Sequence, residues 1–91
     1  MNEIVLMLAG EHTGRAHSYR DGVLFFVCDV AFAPGQPFVA TIASEPGPLE
    51  IRGKAASSKL RDDGAFDVRV KLHSLRREQR NWLETNLPSS H

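Results

Sequence analysis

Arg15, His17, Tyr19 and Arg20 combine cations with an aromatic ring within six positions of one another. A tyrosine ring can stack on a base and guanidinium groups can bind phosphate with paired donors, so this set could grip a nucleotide. The competing reading is a solvated strand and turn whose polar side chains face water, and short patterns of this kind weigh toward it. A second set, Lys54, Arg69 and Lys71, falls on the outward phase of two alternating segments. Pairing across an Asp62-Asp63-Gly64 turn would set Lys54 near Lys71, a mildly destabilising like-charge pair. Such a pair could mark an anion or acidic-partner site, extended by Arg76 and Arg77. Simple solubility is the bland alternative, favoured by Glu50 and Asp67 on the same exterior.

Metal and catalytic chemistry find no footing. His12, His17, His73 and His91 lack ligand spacing, and carboxylates near them are sparse, so no metal site is expected. Cys28 is the only cysteine and sits in an apolar run, where a thiol is harder to ionise. A search for a serine or cysteine nucleophile with a histidine base, or for a spaced carboxylate pair, leaves no catalytic constellation, so no enzymatic activity and no cofactor are expected. One thiol makes no internal disulfide, which fits a reducing cytoplasm.

The elements that must position these residues are short. Ninety-one residues accommodate one domain, expected over residues 1–88 with 89–91 as a tail. The formal net charge is zero, which argues against bulk binding to nucleic acid or to an anionic membrane. The charge is nevertheless uneven: residues 1–46 carry a net −3 and residues 47–91 a net +3. The apolar run from Ile4 to Ala9 has no basic segment before it and is too short to cross a bilayer, so it reads as a strand buried on both faces.

Turn residues cut the remainder into strand-sized pieces. Extended structure is expected around Arg15 to Tyr19, then over Val23 to Cys28, Phe38 to Ala43, Leu49 to Ala55 and Phe66 to Leu72. Pro34-Gly35, Glu45-Pro46-Gly47-Pro48 and Asp62-Asp63-Gly64 separate the later strands. In the last two, Leu49, Ile51, Gly53 and Ala55 share one face, as do Phe66, Val68, Val70 and Leu72. The period then changes. Ser74 is the expected N-cap of a helix whose Leu75, Trp82, Leu83 and Leu87 form one stripe, with Trp82 as main anchor, an Arg80–Glu84 pair outside and Pro88 as the stop. Six short strands and one terminal helix predict a small, mainly β protein, an antiparallel six-stranded barrel with the helix capping one opening.

Three features in order resemble the PilZ family of bacterial signalling domains. Asp21-Gly22-Val23-Leu24-Phe25-Phe26 looks like the strand after that family's glycine, and Ala33-Pro34-Gly35-Gln36-Pro37-Phe38-Val39 is similar to its next turn. The order strand, turn, strand and closing helix from Leu49 to Leu87 completes the likeness. The resemblance implies a split barrel and a role in cyclic di-GMP-related regulation. Family members that bind cyclic di-GMP use an Arg-x-x-x-Arg arm and an Asp/Asn-x-Ser-x-x-Gly motif. In this chain Arg15 and Arg20 are separated by four residues and follow the first strand, and no arginine precedes them. His17 and Tyr19 stand at the acidic or amide and serine positions, with Gly22 retained.

The leading expectation is therefore a non-catalytic PilZ-like adaptor that docks to another protein. Two alternatives remain open. One is a cyclic di-GMP receptor with a non-standard site at Arg15, His17, Tyr19, Arg20 and Gly22. The other is a nucleic-acid-binding barrel using Arg52, Lys54, Arg69 and Lys71. A homodimer through strand edges or through the helix is compatible with all three.

Overall fold

Alternation between apolar and polar residues sets the sheet. The computed structural model describes residues 4–43 and 47–88. Its strands are β1 (Ile4–Leu8), β2 (Thr13–Arg20), β3 (Val23–Cys28), β4 (Pro37–Ile42), β5 (Leu49–Leu60) and β6 (Phe66–His73), followed by helix α1 (Arg77–Asn86). Every pairing is antiparallel, the order is β1-β2-β3-β6-β5-β4, and β4 returns to β1, so the sheet is a closed six-stranded barrel. The expected architecture of six strands and one C-terminal helix is the one observed.

Inward side chains of all six strands fill the interior. Leu6, Leu24, Phe26, Phe38, Ile42, Ile51 and Val70 are fully buried, each burial being worth roughly 1.5–3 kcal/mol. The β3–β4 connection folds over this core. Phe32 packs edge-on against Phe26 with centroids 6.0 Å apart, while Ser58 Oγ accepts from the Phe32 N–H at 3.2 Å. Cys28 is buried, and its Sγ–H donates to the Val30 carbonyl at 3.1 Å.

Several local expectations are corrected. β1 is buried on one face only: Leu6 and Leu8 point inward, whereas Val5 and Met7 are 57% and 52% exposed. It also ends at Leu8, because Ala9–Glu11 forms a 3₁₀ turn. β5 runs to Leu60, five residues beyond the apolar alternation, because a bulge between Ala55 and Ser57 lets it continue along β6. Glu45 and Pro46 of the predicted break lie outside the described residues.

Ser74 does not cap the helix. It adopts φ 59°, in the left-handed region, and closes the turn after β6. The N-cap of helix α1 comes two residues later, where Gln79 Oε1 accepts from the Arg76 N–H at 2.9 Å. A guanidinium has no acceptor, so the reciprocal half of a capping box is not made. Leu83 and Leu87, not Trp82, anchor α1: both leucines are buried and Trp82 is half-buried. Gln79 Nε2 donates to the Glu50 carbonyl at 3.0 Å, and the Tyr19 N–H donates to the Pro88 carbonyl at 3.0 Å. These bonds fix the helix over the barrel end that carries the β2–β3 turn.

Candidate functional site

The two candidate sets fare differently once folded. In β2, regular alternation would keep Arg15, His17 and Tyr19 on one outward face. A bulge between Ala16 and Ser18 breaks that phase, because His17 has no register partner on β3. An extra residue turns the strand by half a pleat. Tyr19 therefore faces inward opposite Leu24 and is only 3% exposed, while Arg20 turns outward opposite Val23.

The Arg80 guanidinium and the Gly22 backbone N–H lie beside the Tyr19 hydroxyl, and all three residues line one small pocket. Burial pushes its pKa above the ordinary tyrosine value, and the Arg80 charge opposes that rise. The expected Arg80–Glu84 pair is not among the ion pairs of the described residues, and both charges act on the Tyr19 phenol. Gly22 has φ 82° and Asp21 φ 52°, the two positive values of a two-residue hairpin turn. This Asp-Gly turn is itself a hairpin signal in the sequence.

Arg15, His17, Tyr19 and Arg20 thus do not converge. The β3 partners of Arg15 and Arg20 are Val27 and Val23, four residues or roughly 13 Å apart along the strand. Arg15 lines a shallow groove of about 370 Å³ with Val5, Thr13, Val27 and Asp29. Arg20 lies 3.6 Å from the Asp21 carboxylate, and His17 is exposed on the bulge.

The second set does assemble. Lys54 and Lys71 are direct register partners, and on the same two strands Arg52 is opposite His73. All four side chains are on the exposed phase. Arg69, two residues before Lys71, places its guanidinium 5.5 Å from the centroid of the Phe25 ring on β3. Such an exposed cation–π contact contributes about 0.5–1 kcal/mol. Arg52 pairs with Glu50 at 3.2 Å, but no ion pair among the described residues engages Lys54, Lys71 or Arg69. Arg76 lines a groove of about 510 Å³ with Arg52 and His73, at the strip's end. Arg77 is exposed on the first turn of α1 and does not line that groove.

Gly53 makes the strip possible. It faces inward between Arg52 and Lys54, and a Cβ there would overlap the Lys71 carbonyl and the Leu72 Cα. The missing side chain lets β5 and β6 press together, holding Lys54 and Lys71 side by side. Apolar residues flank the cations: Val23 is the register partner of Lys71 and Phe25 of Arg69, while on β4 Pro37 partners Lys54 and Val39 partners Arg52. Arg52 and His73 entered the sequence reading only as a nucleic-acid contact and a rejected metal ligand. The phase of β5 and β6 carries both onto the strip.

Among the described residues no group of three or more His, Cys, Asp or Glu could hold a metal ion; His91 lies outside them. No helix of the described residues is long and apolar enough to cross a membrane. No family model matches the chain, and neither does any curated protein or solved structure.

Proposed function

We propose that this chain is a non-catalytic PilZ-like adaptor domain of cyclic di-GMP-related regulation, acting in the cytoplasm by docking to another protein and not by gripping the nucleotide in the usual manner. One observation carries the reading. The side chains that would hold a nucleotide are dispersed by the β2 bulge, whereas Lys54 and Lys71 are held side by side on the barrel exterior. A closed six-stranded barrel with a C-terminal helix is the architecture that the family resemblance implies. Its interior is filled with apolar side chains, so recognition belongs to the outer surface.

Keeping two like charges directly opposed costs a few tenths to about 1 kcal/mol, which an acidic partner would offset. The adaptor needs no cofactor and inserts nothing into a membrane.

Isothermal titration with cyclic di-GMP at low and moderate salt tests the proposal. The expected result is no heat at high nucleotide concentration. Micromolar or tighter binding would overturn the adaptor reading in favour of a receptor, and Arg15→Ala and Arg20→Ala would then locate its site.

A further inference from the structure

We propose that the outer face of β5 and β6 docks an acidic, partly apolar peptide segment of a partner protein, with carboxylates against Lys54, Lys71 and Arg69 and apolar side chains against the flanking residues. The inference rests on the docking reading above and gives it a surface and a partner chemistry.

Three features select this occupant. First, the cations are concentrated. Arg69, Lys71 and His73 alternate along β6, and Arg52 and Lys54 alternate along β5, directly alongside. The array is two strands wide, roughly 5 Å across, and four residues or about 13 Å long. That footprint suits a short extended segment with two or three carboxylates, and it is small for a nucleic-acid backbone or a bilayer surface.

Second, the cations lie between apolar borders. Val23 and Phe25 are half-buried on the β3 side, and Pro37 and Val39 are exposed on the β4 side. A peptide that alternates acidic and apolar residues meets both chemistries, since its carboxylates reach the centre while its apolar groups reach a border. A purely ionic polymer would leave Phe25 and Val39 facing water.

Third, the chain's formal charge is zero. A polyanion is drawn in by the field of the whole molecule, which is weak here, whereas a local acidic segment needs only the local strip.

The test uses fluorescence anisotropy with the full chain and a labelled peptide of about ten alternating Glu and Leu residues, a length that spans the strip when extended. Parallel arms use the same peptide with Gln for Glu, a single-stranded oligothymidine, and phosphatidylcholine vesicles containing phosphatidylserine. The Glu/Leu peptide is expected to bind, with affinity that falls as salt rises, and the Gln/Leu peptide to bind about tenfold more weakly or not at all. Combining Lys54→Gln with Lys71→Gln should lower Glu/Leu affinity about tenfold, because two direct charge contacts are lost. Lys59→Gln, lying beyond the bulge opposite Asp67, should leave it unchanged.

Both lysines are exposed, and the half-buried Trp82 reports that the fold of each variant is intact. The proposal is overturned by no binding of the Glu/Leu peptide at low salt, by equal binding in the double variant, or by tighter binding of oligothymidine or vesicles. These results are separable from the nucleotide titration. Heat with cyclic di-GMP removes the adaptor reading whatever the peptide does, and a silent peptide with a silent nucleotide removes this surface alone.

Discussion

The second half of β2 and the β5–β6 hairpin both carry cationic and histidine side chains among apolar neighbours, yet they present them to opposite effect. In β2 one extra residue at His17 sends Tyr19 inward and Arg20 outward, scattering a set that is contiguous in sequence. In β5 and β6 unbroken pleating from Arg52 to Ala55 and from Phe66 to His73 gathers cations that are up to 21 positions apart in sequence. Sequence proximity is therefore a poorer guide to a surface site than strand phase. The strand that looks rich in chemistry spends its ring on the core, and the strand that looks merely soluble builds the concentrated charge.

The sharpest way to break this contrast is Gly53→Ala. Its Cβ would strike the Lys71 carbonyl, which is backbone and cannot swing away, so β5 and β6 must separate. A loss of about 3 kcal/mol or more in chemical denaturation is expected. A loss below about 1 kcal/mol would mean that the strands relax freely and that Gly53 does not hold the strip together.

A smaller effect sharpens the contrast in the other direction. Lys71→Glu places a carboxylate opposite Lys54 and should raise stability by a few tenths to about 1 kcal/mol, with the gain fading as salt is added. Unchanged or lower stability would show that the opposed lysines do not repel one another in solution.

The alternation of Leu49 to Ala55 and of Phe66 to Leu72, with the Asp63-Gly64 turn between them, is enough to put Lys54 near Lys71 on one outward face, because a regular pleat fixes the face. Their direct pairing needs more: the bulge between Ala55 and Ser57 shifts the register that runs up from Leu60 and Phe66 by one residue. The bulges at Ala16/Ser18 and Ala55/Ser57 were not legible, since an inserted residue has no composition of its own and only pairing with a neighbour reveals it. The apolar run Ile4 to Ala9 showed that a face is buried but not that one face, carrying Val5 and Met7, is open. On α1 the largest side chain, Trp82, drew the anchor role that the rotation of the helix gives to Leu83 and Leu87.

The smallest expected effect probes the bulge directly. Tyr19 is the only tyrosine, so phenolate absorbance follows it alone. Its midpoint should lie above the ordinary value, and Arg80→Ala should raise it further by removing the charge that favours ionisation. The native state then holds the phenolic proton more tightly than the unfolded chain does. Its contribution to stability is complete below about pH 10 and is lost as the pH climbs through the folded midpoint. A midpoint at or below the ordinary value would put the ring outside and restore the contiguous patch.

The backbone bond from Tyr19 to Pro88 also bears on how the molecule is made. Its two ends are 69 positions apart, so β2 emerges from the ribosome long before the carbonyl that its Tyr19 N–H meets. Until then that N–H lacks this partner, and open backbone donors on a strand are the kind that pair with a neighbouring chain. The segment just after the helix is therefore expected to guard the nascent protein against misassembly: slowed synthesis of the final segment should increase aggregation more than slowed synthesis of β3.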